Sequence, residues 1–189
     1  MSKIALILGS VRQDRQGIKI GRWMEQKLKE RNHTVFFIDP VELDLPLLDR
    51  MYKEMSNPPE KLKVLRQQIK DAEGYLAITP EYNHSISSAL KNTLDYFLEE
   101  YFFKPSAIVS YSAGSFGGIR AAEHLRLVFA ELGAPSMSSS FPISKVQDVF
   151  DANGILKEQA YEKRVQRFLE EFEWYIEAFR NQRQKGTPY

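Results

Sequence analysis

The feature that most constrains the fold is an alternation, repeated along the chain, of short unbroken apolar runs with longer segments of helical spacing. Ile4 to Leu8 is continuously apolar and closed by Gly9, with no polar residue at alternate positions. Such a run predicts a strand buried on both faces, as in a parallel sheet covered by helices. Val35 to Ile38, Tyr75 to Ile78 and Ala107 to Val109 read the same way, and Ser136 to Pro142 is a weaker fifth candidate. Between them, Ile86, Ala89, Leu90, Thr93, Leu94, Phe97 and Leu98 fall on one helical stripe. A helix from about Gly118 to Leu132 stops at Gly133 with Pro135 beyond it, as helix ends do. Tyr161, Val165, Phe168, Leu169, Phe172, Ile176 and Phe179 mark a long final helix, and Ile20 to Leu28 and Leu62 to Ile69 two shorter ones. Strand and helix in turn imply right-handed crossovers and a three-layer, doubly wound α/β sheet. No repeat or linker interrupts the pattern, and 189 residues predict a single domain spanning 1–189.

Composition then removes function classes. The formal net charge is +1, with 26 basic and 25 acidic residues interspersed, so no broad field exists to draw in nucleic acid or an anionic membrane. Any anion is therefore bound locally. Cysteine is absent, which excludes disulfides, iron–sulfur clusters, thiolate zinc sites and thiol nucleophiles. His33, His84 and His124 lack paired ligand spacing, so no metal site is expected. The opening apolar run is too short for a signal segment or a membrane span, and a cytoplasmic protein is expected.

In an open parallel sheet, ligands bind beyond the carboxyl ends of the strands where the strand order reverses. After the first strand stands Gly9-Ser10-Val11-Arg12-Gln13-Asp14-Arg15-Gln16-Gly17, a hydroxyl and two guanidinium groups just before a helix. A helix start with unpaired N–H groups, together with Arg12 and Arg15, suits a terminal phosphate. The loop lacks the Gly-Lys-Ser/Thr ending of a nucleoside-triphosphate loop and is not G-x-G-x-x-G. It equally allows Ser10 as a helix cap with solvated arginines. After the third strand come Thr79, Pro80, Glu81, Tyr82, Asn83, His84 and Ser85, which can aim amides and side chains at a planar polar ligand. The plainer alternative has Ser85 capping the next helix and Glu81 in solvent. After the fourth strand, Ser110 to Gly118 holds Ser112, Gly114, Gly117 and Gly118, either a close backbone approach to a ring or a flexible turn. The stretch Asp39 to Pro59 is too long for a simple turn and reads as a flap over a site or a subunit contact.

The segments GSVRQDRQG, PEYNHSISSALKNTLDYF and SYSAGSFGGIRAAEHLR together resemble the NADPH-dependent FMN reductase family, which includes azo, quinone and chromate reductases. The resemblance runs over roughly Ile4 to Leu132 and implies a flavodoxin-like fold, a five-stranded parallel sheet in strand order 2-1-3-4-5. The family often has a proline where Ser87 or Ser88 stands and a serine where Arg15 or Gln16 stands. It implies that Ser10, Arg12, Arg15, Gly17 and Ile18 hold the FMN phosphate. Pro80, Glu81, Tyr82 and Asn83 would line one edge of the ring with Ser85 nearby, and Ser112, Gly114, Gly117 and Gly118 the other. It further implies NADPH or NADH as co-substrate, hydride relayed at the flavin N5 to a small acceptor, and no catalytic side chain. A homodimer or homotetramer is implied, with Tyr96, Phe97, Tyr101, Phe102 and Phe103 as part of the contact or as core. Two rivals share the fold. A flavodoxin-type carrier would be strongly acidic, unlike this chain, and a flavin-free regulatory domain would have an emptied site.

Overall fold

The computed structural model describes residues 1–189. The strands are β1 (Lys3–Leu8), β2 (Thr34–Ile38), β3 (Gly74–Pro80), β4 (Ser106–Tyr111) and β5 (Ser136–Ile143). They form one five-stranded sheet in the order β2-β1-β3-β4-β5, every pairing parallel. The order reverses between β1 and β3, so the loops leaving these two strands diverge at their carboxyl ends and open a crevice. Three of the four contiguous apolar runs are central strands, β3 and β4 buried along their whole length and β1 from Ile4 onward. The fourth, Val35 to Ile38, forms the edge strand β2 and is half-buried up to Phe37, because it has a neighbour on one side only.

Helices cover both faces. α1 (Gly17–Glu30) and α7 (Gln159–Arg183) enclose one apolar cluster with Ile4, Leu6, Leu76 and Val109. α3 (Glu60–Asp71), α4 (Ser88–Asp95) and α5 (Ile119–Glu131) enclose the other with Ala5, Ile7, Tyr75 and Ile108. Alternate strand residues therefore feed opposite layers, as the pleat requires. Two short helices, α2 (Pro40–Leu43) and α6 (Val146–Val149), follow β2 and β5. No helix is long and apolar enough to cross a membrane.

The stripe from Ile86 to Leu98 overruns its helix, because α4 spans only Ser88–Asp95. Ser87, not Ser85, is the N-cap, and its hydroxyl accepts from the Leu90 N–H at 3.2 Å. Phe97 and Leu98 stay apolar because the chain remains in the core on its way to a 3₁₀ turn at Glu99–Tyr101. Tyr96, Phe97 and Tyr101 are buried in the same layer and Phe102 and Phe103 half-buried, so most of this aromatic group is core. The stretch Asp39 to Pro59 contains α2 and a 3₁₀ turn at Tyr52–Glu54. It is tied to α4: Asn92 accepts from Leu48 N–H at 2.9 Å and donates to the Pro46 carbonyl at 2.8 Å, which also receives the Tyr96 hydroxyl.

Candidate functional site

β1 leaves the sheet at Gly9, where any Cβ would stand 2.9 Å from the Ile78 carbonyl of β3. Only glycine fits that approach, and the Ser87 hydroxyl donates to the Gly9 carbonyl, locking the β1 exit to the start of α4. Ser10 follows, 2% exposed, its Oγ 2.8 Å from the Tyr82 hydroxyl. That bond joins the loop after β1 to the loop after β3 across the reversal point. Arg12, Gln13 and Asp14 are exposed, and the Arg12 guanidinium lies 5.8 Å from the Tyr82 ring centroid. Arg15 turns inward to a bidentate pair with Asp39, both contacts at 2.5 Å. α1 then begins from Gln16, whose own side chain caps none of the helix's first N–H groups.

After β3, Glu81 is not solvated. Its Oε2 accepts from the backbone N–H of Arg120 at 3.1 Å and of Ala121 at 3.5 Å, while Oε1 faces the Arg120 guanidinium at 3.4 Å. It thus supplies the carboxylate that the N-terminus of α5 favours and ties the β3 loop to the β4 loop. Tyr82 and Ser85 exchange both backbone hydrogen bonds, with Asn83 and His84 at φ of 51° and 67° between them. Positive φ at both central residues marks a type I′ turn, to which asparagine is suited.

After β4, Gly117 and Gly118 have φ of 62° and 76°, and a Cβ on Gly118 would meet the Tyr111 backbone N and O at 2.8 Å. These glycines serve a sharp reversal against β4. The same loop zips to the loop after β5: Ser112 N–H donates to Ile143 O, Val146 N–H to Ser112 O and Lys145 N–H to Gly114 O. α6 is thereby drawn to the crevice. Tyr111 stands beneath α1, where a Cβ on Gly17 would lie 2.5 Å from its hydroxyl. Burial pushes that hydroxyl well above the ordinary phenol range, with Tyr82 adding and Ser10, Arg15 and Gly17 opposing, so it stays a neutral donor.

These loops enclose a cleft of about 500 Å³, within the usual size of a ligand pocket. Of the residues expected from the sequence, Ser10, Arg12, Arg15, Pro80, Glu81, Tyr82 and Ser112 line it. Gly17, Ile18, Asn83, Ser85, Gly114, Gly117 and Gly118 stand outside its walls. Gly17 and Ile18 face the layer beneath α1, and Ser85 bonds to His124 at 3.2 Å. Tyr111, Ala113, Val146 and Gln147 join the walls. Tyr111 was expected in the loop after Val109 but is the last residue of β4, which continues past Ser110, whereas Val146 and Gln147 arrive through the backbone zipper, which leaves no sequence signal. Of the charged lining residues, Arg15 and Glu81 are ion-paired, while Arg12 and Asp14 are not.

Residues 2–148 match the NADPH-dependent FMN reductase family. The chain belongs to that family. It is accordingly an FMN-dependent oxidoreductase that takes electrons from a reduced nicotinamide coenzyme. An NAD(P)H-dependent FMN reductase from a Nectria species is 36% identical over 175 residues, covering 85% of this chain and 86% of that protein. A 2-hydroxy-1,4-benzoquinone reductase from a Burkholderia species is 33% identical over 181 residues, covering 92% and 96%. Among solved structures, the flavoenzyme NAD(P)H:(acceptor) oxidoreductase FerB from Paracoccus denitrificans superposes with a TM-score of 0.78 at 27% identity, over 95% of this chain and 99% of that one. The FMN reductase fold and the cleft agree in chemistry. The start of α1 beside Arg12 suits the phosphate, and the flat surfaces of Pro80, Tyr82 and Tyr111 suit a planar ring.

Proposed function

We propose that residues 1–189 form a single FMN-binding domain that reduces quinones with NADPH or NADH in the cytoplasm. The observation that carries the reading is the cleft at the strand-order reversal, with a cationic helix start at one end and Pro80, Tyr82 and Tyr111 at the other. Ser10, Arg12 and the first amides of α1 hold the phosphate, and Arg15 shapes the loop. Pro80, Glu81 and Tyr82 of the β3 loop and Ser112 of the β4 loop border the ring, while Asn83, Gly117 and Gly118 act from outside the walls through the positive-φ turns that shape the two loops. Bound there, FMN supplies two-electron hydride transfer between the coenzyme and the acceptor. The protein's part is to orient, to exclude water and to offer N–H groups where negative charge collects. No acidic residue lies between Ser110 and Arg120 to oppose that charge. The quinone class is favoured by the names of the relatives and by an open, mixed polar and apolar cleft with no cation dedicated to an acceptor.

The same reading includes a homodimer or homotetramer. Val11, Val41 and Leu47 expose apolar surface around a groove of about 390 Å³ beside α4, which a second copy would cover. The test of function is the purified protein's absorption spectrum under argon: a flavin band that NAD(P)H bleaches with no partner reductase, and that a benzoquinone restores. A band that persists on NAD(P)H addition refutes the reductase reading, and light scattering at a monomer mass refutes the assembly.

A further inference from the structure

Arg15 lines the cleft, yet most of its hydrogen-bonding capacity is turned away from it. Nη1 donates to the Ser10 carbonyl at 2.7 Å and to Asp39 Oδ1 at 2.5 Å, and Nη2 donates to Asp39 Oδ2 at 2.5 Å. Both Nη1 hydrogens are thereby used, leaving Nε–H and one Nη2 hydrogen for a ligand. Asp39 is 3% exposed, sits just past the end of β2 and is not part of the cleft wall. Its Oδ1 also accepts from the Val41 N–H at 3.0 Å, which caps α2 and fixes the carboxylate from behind. Between the Ser10 bond to Tyr82 and the start of α1, this clamp is what ties the loop to the rest of the fold.

We propose that Asp39 is a positioning residue for phosphate recognition: through Arg15 it sets the span from Ser10 to the first turn of α1 without touching the ligand. The inference rests on the FMN reading above. A planar guanidinium held bidentately by a buried carboxylate keeps the loop ordered before the ligand arrives, so binding does not carry that ordering cost. Removing one partner leaves the other charge buried and uncompensated, and the loop moves to solvate it. Discrimination between phosphorylated and unphosphorylated flavin then depends on a residue of the β2 end. A purely structural role would weaken both flavins alike.

The test titrates the full chain, freed of flavin, with FMN and with riboflavin, reading flavin fluorescence alongside thermal melts. For Asp39→Asn the FMN affinity should fall roughly tenfold or more while riboflavin affinity stays within about twofold. Arg15→Gln should do the same, and the double variant should be no weaker than the weaker single one, because both break one clamp. Parallel loss of both flavins, or unchanged FMN affinity, overturns the inference. If Asp39→Asn does not fold, Arg15→Lys reads the same clamp, since an ammonium keeps the charge but cannot span both carboxylate oxygens and the Ser10 carbonyl. Failure of the wild type to bind FMN refutes the site reading and this inference together. An unaltered FMN-to-riboflavin ratio in Asp39→Asn refutes the clamp alone.

Discussion

Arg12 gives the sharpest perturbation of the phosphate end. Its guanidinium has no ion-pair partner and lies 5.8 Å from the Tyr82 ring, whereas Arg15 is committed to Asp39. Replacing Arg12 by alanine therefore removes the free cation of the cleft and little else. A charge-assisted hydrogen bond to phosphate is worth ~1.5–3 kcal/mol, which corresponds to roughly 10- to 150-fold in FMN affinity. The lower end is expected, because Arg12 stands at an exposed rim where solvent screens it. Fold stability should change little, since an exposed cation–π contact contributes about 0.5–1 kcal/mol. Asp14 supplies the control of opposite sign: unpaired in the same wall, it opposes the phosphate, and Asp14→Asn should tighten FMN a few-fold at low salt. Fluorescence titration of both variants at two salt concentrations checks the pair. Unchanged FMN affinity in Arg12→Ala would remove Arg12 from the site.

Other positions test how the loops are held. Glu81→Ala strips the N-terminus of α5 of its carboxylate and should cost ~1 kcal/mol, read as a lower thermal midpoint; an unchanged midpoint would show that the contact contributes nothing. Gly118→Ala forces a side chain into φ of 76° and against the Tyr111 backbone, at a cost of at least ~1–2 kcal/mol and about 2–8 °C in Tm. A melt within a degree of wild type would mean that the turn is not held as described. For Glu173, burial alone would raise the carboxyl, but hydrogen bonds and charge from Arg31 and His33 outweigh it and leave the group below its ordinary value of 4.5. Its ionised form therefore stabilises the fold above that pH, and the contribution is lost as pH falls through the lower folded value. Urea midpoints from neutral to acid pH should thus fall more gently for Glu173→Gln than for wild type, and parallel curves would contradict this.

The layers of this fold were legible because burial on both faces forces an unbroken apolar run, and β1, β3 and β4 have no solvent side to demand alternation. The length of α4 was not legible: Phe97 and Leu98 continue the stripe through a segment that is buried without being helical. The loops of the site could be located, but not the partners of their charges. Arg15 and Arg12 look alike in sequence, and only the return of the chain at Asp39 separates a braced guanidinium from a free one. Glu81 reads as a surface carboxylate until α5 is placed over it, and Gln147 reads as nothing until two strand ends are zipped together. Long-range pairing of polar groups carries no periodicity, so it stays hidden where apolar patterning is plain.

The most direct test is a crystal structure of the chain grown with FMN. The account predicts the phosphate at the first turn of α1 beside Ser10 and Arg12, with the ring between the Pro80–Tyr82 and Tyr111–Ala113 segments. Flavin bound elsewhere, or the Arg12 guanidinium turned away from the phosphate with α1's first amides still solvated, would contradict it.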